Sequence, residues 1–457
     1  MNESFLYENK RHIHFIGIGG VSMSSLAKVM HSRGVLVSGS DANKTKTTTE
    51  LEELGIKITY EHLPQNVDGA DLVVYTAAIK NDNPEFKGAV DKNIEMAERS
   101  VFLGELMKAY KYPCCIAGTH GKTTTTSMAG IVMADADTDP TVMVGGEVKE
   151  LNGNLRIGES DFFITESCEY VESFLKFYPH TAIILNVDED HLDYFTGIEH
   201  IISSFGKFTE LVPENGLVIV NGTDEHALMS VKNSKAPVLT FGFDDSCDFF
   251  ASDISYTDLG CATYTLNEGN NVLGEISLSV PGKHNILNSM SVAIYALKSG
   301  VPFEKIASSL KKFGGTVRRF EQKGTYNGAL LIDDYAHHPT EIKATMQSAS
   351  NFKDRKITVV FQSHTYTRTK ALLKEFSESF DLADEIIVTD IFAAREKDLG
   401  KVHPNDLVDL IKNRGKDAKY ISKFEDIAEY LKEIASPDRL FITIGAGDVF
   451  KVLDMLK

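Results

Sequence analysis

Gly118-Thr119-His120-Gly121-Lys122-Thr123-Thr124 sets an ammonium and a hydroxyl directly after two glycines, between the apolar run CCIA and a Thr-rich helical pattern. Such a loop cradles phosphate with backbone N–H groups, lets Lys122 reach β- and γ-phosphates and lets Thr123 ligate magnesium. Strict Walker spacing puts a glycine at 116; Ile116 stands there, so this is a shortened variant. A first glycine loop, Gly17-Ile18-Gly19-Gly20-Val21-Ser22, also follows a strand-like run and opens a helix, which suits a diphosphate. A dinucleotide fingerprint wants glycine where Ser22 stands, while Asp41, after the second strand, can accept hydrogen bonds from a ribose. Taken alone, this first loop also fits a dehydrogenase or a tight turn with no ligand.

Acids follow two further strand-like runs. Glu166-Ser167-Cys168-Glu169 comes after DFFIT, and Asp188, Asp190, His191 and Asp193 come after AIILN. Carboxyl ends of parallel strands are where such sheets bind ligands. Phosphoryl transfer calls for a divalent cation, and Glu166 with His191 can complete a shell begun by Thr123, His191 being an unusual ligand for a hard ion. Asp188 and Asp193 are expected to be solvated acids or caps of the next helix. In Pro281-Gly282-Lys283-His284-Asn285-Ile286-Leu287-Asn288 the two asparagines share a helical face suited to an adenine edge, with helix capping by Asn285 as the alternative. Arg318 and Arg319 lie in an expected linker, where one guanidinium reaches phosphate when domains close. Asp333-Asp334-Tyr335-Ala336-His337-His338-Pro339 and His364-Thr365-Tyr366-Thr367-Arg368 follow two more strands. Placed at adjacent strand ends, they suggest a pocket for an acceptor substrate. Gly445-Ala446-Gly447-Asp448 reads as a tight turn.

The elements that must hold these groups alternate strand-like and helical patterns, which predicts an α/β chain with parallel sheets. At 457 residues the chain suggests three domains. The boundaries are placed at 1–110, 111–316 and 317–457, the second within KKFGGTVRRFEQKG. From about 211 to 280 short strands and turns predict a small antiparallel patch in the middle domain. A net charge of -18, from 65 acidic and 47 basic residues, opposes a broad grip on nucleic acid or an anionic membrane. Five cysteines without CxxC spacing suggest neither a disulfide framework nor a zinc site. The amino terminus lacks an apolar signal core and no long apolar run occurs, so a soluble cytoplasmic enzyme without membrane insertion is expected. Nothing in the sequence fixes an oligomeric state.

In chain order, GIGGVSMSSLA, GTHGKTTTT, the Glu166 cluster, NVDEDHLDYF, PGKHNILN, RRFE, DDYAHHPTEI and HTYTRT resemble the Mur ligases of peptidoglycan synthesis. The resemblance spans essentially the whole chain. It implies a Rossmann-like N-terminal domain for a UDP-sugar, a central P-loop ATPase and a Rossmann-like C-terminal domain for an amino acid. It also implies ATP- and Mg2+-dependent joining of L-alanine to UDP-N-acetylmuramate through an acyl phosphate. The residues carried over as catalytic are Lys122, Glu166, His191, Arg319 and His337. The Gly118–Thr124 loop, Asn285, Asn288, Arg319 and Asp334 are implied on ATP, and Thr123, Glu166 and His191 on magnesium. Gly17, Gly19, Gly20, Ser22, Ser40, Asp41, Thr76 and Ala77 are implied on the sugar nucleotide, and His337, His364 and Arg368 on the amino acid.

Three departures stand out. Cys168 replaces a carboxylate common in the family. Thr365 stands where an arginine often clamps the incoming carboxylate, which opens the choice among L-alanine, glycine and L-serine. Related ligases use a carbamylated lysine, and Lys207, the nearest candidate, is out of register. Among rivals, a muropeptide-recycling ligase shares GTHGKTTT but is not expected to carry HTYTRT. A folate polyglutamate ligase lacks a domain bearing GIGG.

Overall fold

A computed structural model describes residues 6–192, 194–394 and 396–457. Asp193 lies outside the described residues. The described chain builds three sheets. The first holds β1 (His12–Ile16), β2 (Leu36–Ser40), β3 (Lys57–Thr59), β4 (Leu72–Tyr75) and β5 (Glu95–Glu98), all parallel in the order β3-β2-β1-β4-β5. Both faces are covered, which is why β1 and β4 read as continuous apolar runs. Ile13 and Phe15 pack with Leu26, Met30 and Phe102 on one side, and Ile16 and Val73 with Val67 and Ala89 on the other. Phe102 meets Phe15 edge-on at 5.9 Å, a contact that contributes about 1 kcal/mol beyond its buried area. The chain turns opposite ways on either side of β1 and β4, and that switch point sets the Gly17 loop beside Thr76.

The second sheet contains β6 (Tyr112–Ala117), β7 (Thr141–Val148), β8 (Gly153–Arg156), β9 (Phe162–Ser167) and β10 (Thr181–Ile184). It continues through β11 (Leu217–Asn221), β12 (Val238–Gly242), β13 (Phe249–Tyr256), β14 (Cys261–Glu268) and β15 (Asn271–Pro281). The order is β15-β14-β13-β12-β11-β10-β6-β9-β7-β8. Antiparallel pairing is confined to the two edges, β13-β14-β15 and β7-β8. The patch expected from about 211 therefore starts later: β11 and β12 are parallel members of the main sheet. The crossover that parallel pairing requires is the helix Glu225–Ser230, started by Asp224 accepting the Ala227 N–H at 2.8 Å. At 6 residues it is too short to show a helical period in sequence. The helices Lys122–Asp135 and Lys283–Lys298 share one core cluster through Met128, Val132, Ile286 and Met290.

The third sheet runs β16-β17-β21-β18-β19-β20, built from β16 (Glu321–Tyr326), β17 (Ala329–Asp334), β18 (Lys356–Phe361), β19 (Glu385–Val388), β20 (Asp417–Tyr420) and β21 (Arg439–Ile444). Only β16-β17 is antiparallel, joined by Asn327 and Gly328, both at positive φ as a tight hairpin turn demands. β21 separates β17 from β18, so the strand ends carrying His337 and His364 are not adjacent, contrary to expectation. Their loops lean together all the same, and the two rings lie 6.0 Å apart. Among the described residues no helix is long and apolar enough to cross a membrane.

Candidate active site

The second glycine loop connects β6 to its helix, with Gly118 at φ 148° and Gly121 at φ 86°. A Cβ at Gly121 would lie 2.9 Å from Asn288 Oδ1, and one at Gly118 2.9 Å from Leu185 Cβ, so both positions exclude a side chain. Asn186, the first residue of NVDEDHLDYF and given no role from sequence, fastens the loop to the end of β10. Its amide accepts the His120 N–H at 2.7 Å and donates to His120 O at 3.0 Å, and its carbonyl accepts the Thr119 N–H at 3.1 Å. The Lys122 ammonium turns back onto the Gly118 and Thr119 carbonyls and pairs with Glu169 at 3.0 Å. Burial opposes that charge, but Glu169 outweighs it and raises the Lys122 pKa. Glu169 is the acid beside the lysine although Cys168 is a thiol, a role the sequence did not assign.

The Thr123 hydroxyl donates to Glu166 Oε2 at 2.9 Å, and the Gly145 N–H donates to the other Glu166 oxygen. Burial nevertheless pushes the Glu166 carboxyl up. An oxygen pair around a desolvated acid is a fitting seat for a hard divalent cation, which would reverse that shift. His191, at φ 53°, stacks on Tyr170 with centroids 4.6 Å apart and stands 3.9 Å from Glu169. The expected trio thus divides: Thr123 and Glu166 touch, and His191 stands apart from them on Glu169, the partner of Lys122. Lys207 faces Glu172 at 3.1 Å on the surface.

A cavity of about 570 Å³ opens between this loop and the third sheet, walled by Gly121, Thr124, Asn285, Asn288, Arg319 and Asp334. The cap of the helix Lys283–Lys298 is Gly282, so Asn285 is no cap; its Nδ2 donates to Pro281 O at 2.7 Å, and Asn288 donates to Asn285 at 3.0 Å. Asp334 accepts the Phe320 and Ala336 N–H groups at 2.8 and 2.7 Å, while burial raises its carboxyl to about 6. The two linker arginines part company. Arg318 is structural, bound to Asp333 at 3.0 Å and to the Gly445 and Gly447 carbonyls, which is also the work of that glycine turn. Arg319 faces the cavity, 3.9 Å from Glu341.

Glu341 is a hub that the sequence reading passed over, although His338-Pro339-Thr340-Glu341 has the form of a helix-start capping box. Its carboxylate accepts the His337 N–H at 3.0 Å and the His338 N–H at 3.3 Å, and approaches His120 Nδ1 at 3.2 Å and His337 Nδ1 at 3.3 Å. Asp188, expected to be merely solvated, lies 3.6 Å from His120 and accepts the Thr340 hydroxyl at 2.9 Å. Against burial, Asp188 and Glu341 hold the His120 imidazolium up to about 9. His120, Asp188 and His338 have ligand atoms within 4.8 Å of one another, a metal-like spacing. His338 Nδ1 accepts the Thr340 N–H at 3.4 Å, and within the cluster Asp188 bridges to His120. A second cavity, of about 590 Å³, is lined by Tyr170, Asp190, His191, His364, Thr365 and Arg368. Arg368 pairs with Asp190 at 2.8 Å. Thr365 caps the helix Tyr366–Ala371 from the strained backbone position φ 66°, ψ 144°.

Residues 12–111 match the family description "Mur ligase family, catalytic domain", residues 116–296 "Mur ligase middle domain" and residues 318–447 "Mur ligase, glutamate ligase domain". A protein of Caldanaerobacter subterraneus subsp. tengcongensis named UDP-N-acetylmuramate--L-alanine ligase is 48% identical over 97% of each chain. One of the same name from Acetivibrio thermocellus is 49% identical over 99% of this chain and 97% of its own. The chain belongs to the Mur ligase family. The solved UDP-N-acetylmuramate-alanine ligase of Thermotoga maritima superposes with a TM-score of 0.83 at 29% identity, covering 97% of this chain and 98% of that one. A murein peptide ligase of Psychrobacter arcticus gives 0.72 at 25% identity, covering 98% of each chain.

In this Mur ligase the first glycine loop is closed on itself. The Gly17 and Ile18 N–H groups both donate to Ser40 O, at 2.8 and 2.9 Å, and the Gly20 N–H donates to Gly17 O at 3.2 Å. Asp41 accepts the Gly19 N–H at 2.9 Å and the Asn43 N–H at 3.1 Å, so it braces the loop instead of standing free for a ribose. A Cβ at Gly19 would meet Asp41 Oδ2 at 2.7 Å. The Ser40 hydroxyl is buried on Glu85 at 2.5 Å, which leaves its carbonyl as the group serving the loop. Thr76, followed by Ala77, flanks Gly17 from the end of β4.

Proposed function

We propose that this Mur ligase joins L-alanine to UDP-N-acetylmuramate in the cytoplasm, using ATP and Mg2+ and releasing ADP and phosphate, in peptidoglycan precursor synthesis. One observation carries it: Lys122, Glu169, His191, Asp190 and Arg368 form an unbroken chain of side-chain contacts, at 3.0, 3.9, 3.9 and 2.8 Å. Phosphate-handling and acceptor-handling groups therefore meet at one place, as a reaction that passes an acyl phosphate to an amine requires. The three units 1–110, 111–316 and 317–457 serve sugar nucleotide, ATP and amino acid in turn.

The muramoyl carboxylate attacks the γ-phosphate, ADP leaves, and the amine attacks the acyl phosphate through a tetrahedral intermediate that expels phosphate. Lys122 exchanges Glu169 and its loop carbonyls for phosphate oxygens, and Arg319 exchanges Glu341. Asn285 and Asn288 read the adenine edge, and Asp334 receives the ribose. Thr123, Glu166 and His191 would hold magnesium, which would neutralise the triphosphate charge. Arg368 and His364 receive the amino acid, and His337, whose pKa burial lowers, takes the proton of the incoming ammonium.

The test is phosphate release with ATP, magnesium, UDP-N-acetylmuramate and L-alanine, omitting each in turn, with glycine and L-serine in place of alanine. Turnover without the sugar nucleotide, or none in the complete mixture, would sink the proposal. The 590 Å³ acceptor cavity is roomy for one alanine and favours a second reading, ligation of an alanine-led peptide, so that peptide belongs in the same assay.

A further inference from the structure

Two histidines and an aspartate from different units of the chain come together beside the 570 Å³ cavity. His120 and Asp188 follow β6 and β10 of the second sheet, whereas His338 follows β17 of the third and caps the helix Pro339–Ala349. The His120 and His338 rings lie 5.1 Å apart, and the Nε2 atom of each is buried without a hydrogen-bond partner. Asp188 Oδ2 stands 3.6 Å from His120 Nε2, and His338 as a whole is only 5% exposed. A buried polar atom left unpaired costs about 1–3 kcal/mol, and here two of them share one spot with a carboxylate.

Two imidazole nitrogens and one carboxylate oxygen are the donor set of a three-ligand zinc site, which keeps a fourth position open. Around tetrahedral zinc the ligand atoms stand roughly 3.4 Å apart. The His120–Asp188 pair is nearly there at 3.6 Å, and all three ligand atoms lie within 4.8 Å of one another, so side-chain adjustment closes the set. His120 also has the outer support that orients a metal-bound imidazole. Glu341 faces its Nδ1 at 3.2 Å, which fixes a proton there and turns Nε2 to the cluster. The charge states suit an ion as well. The His120 contact holds the Asp188 carboxyl well below the usual carboxylate range, and burial lowers the His338 pKa and keeps that ring neutral. Against burial, Asp188 and Glu341 hold a second proton on His120, and a dication at Nε2 would take that proton's place. The cost lies at His338: its Nδ1 accepts the Thr340 N–H at 3.4 Å, so binding through Nε2 moves the ring proton to Nδ1 and gives up a cap of about 1 kcal/mol. A metal–nitrogen bond outweighs that loss. Magnesium, which prefers oxygen ligands and its own water, is not drawn to such a set.

We infer that His120, Asp188 and His338 form a site for a divalent transition-metal ion of the zinc class, separate from the magnesium seat at Thr123 and Glu166, which ties together the units built on the second and third sheets. Binding at this site does not depend on the ligase reading, and its test needs no substrate. The experiment is calorimetry of Zn2+ into the full chain with Mg2+ in excess, for wild type, His338→Gln, Asp188→Asn and Cys168→Ser, followed by absorption spectra with Co2+. Wild type and Cys168→Ser should take up about one zinc per chain with equal affinity. Loss of an outer-shell partner weakens a metal by about ten- to a hundredfold, so removing a ligand in His338→Gln or Asp188→Asn should cost about a hundredfold or more. Bound Co2+ should show the strong visible bands of a four-coordinate ion in wild type and not in those two variants. Zinc should also raise the Tm of wild type and leave theirs unmoved. The ion-free Tm of each variant shows whether it has folded, and either ligand variant alone carries the comparison. Unchanged zinc affinity in His338→Gln and Asp188→Asn overturns the inference. So does a loss in Cys168→Ser, which would put the ion on the thiol, or displacement by Mg2+, which would put it at the oxygen seat.

Discussion

The two glycine loops start from similar strand–turn–helix grammar and end in opposite arrangements. The first closes its amides on the Ser40 and Gly17 carbonyls and on Asp41, and Arg99 beside it has no carboxylate within ion-pair distance among the described residues. The second is fastened from outside by Asn186, and its lysine is held in place by Glu169 and the loop carbonyls. Glycine serves different ends in each. Gly19 admits a carboxylate to the first loop, whereas Gly121, at φ 86°, lets the second pass Asn288 in a left-handed turn. Similar local sequence therefore sets the backbone path, and the neighbours decide whether the loop offers amides or a side-chain cation to a phosphate.

The sharpest break between the loops is Lys122→Ala. Phosphate release in the complete mixture should fall by at least about 1,000-fold while calorimetry finds UDP-N-acetylmuramate bound as before; loss of both would erase the division of labour. Asn186→Ala strands the backbone groups of His120 and should raise the KM for ATP by about ten- to a hundredfold, with a lower Tm and unchanged UDP-sugar affinity. Gly19→Ala is its counterpart in the first loop. The 2.7 Å approach to Asp41 predicts about a tenfold weaker UDP-sugar Kd and an unaltered KM for ATP, and an equal effect on ATP would contradict the contrast. The smallest effect is in pH. The folded-state pKa of His120, raised to about 9, means its bridge stabilises fully below about 6.5 and is lost as pH rises through 9. The Tm advantage of wild type over His120→Asn should fade between those values; a constant difference would show no such bridge.

Much of this was legible in sequence. GTHGKTTTT announced a phosphate loop because strand, glycines, lysine and helix fall in the one order that serves phosphate, and the structure confirms that local order. The role of Asn186 was not legible, since the motif NVDEDHLDYF that it opens does not tell which loop an asparagine at a strand end will face. Asp41 was found, but spacing locates a carboxylate without telling which donors it faces. The difference between Arg318 and Arg319 lay in which side of the backbone each leaves, and Arg318 at φ 63° is turned toward Asp333 by a conformation that its neighbours in the chain do not betray. The strand ends of β17 and β18 were read as adjacent because β21, which parts them, comes last in the chain.

The pairing of each central cation with a carboxylate bears on how the enzyme responds to ionic strength. If phosphate docks at Lys122 or Arg319 as proposed, it would replace an anion that the protein already supplies, and few dissolved counter-ions would be released. Among the described residues no carboxylate lies within ion-pair distance of Arg99, so the ions that screen it come from solution. Added salt should therefore screen the Arg99 guanidinium first and change the KM for ATP little.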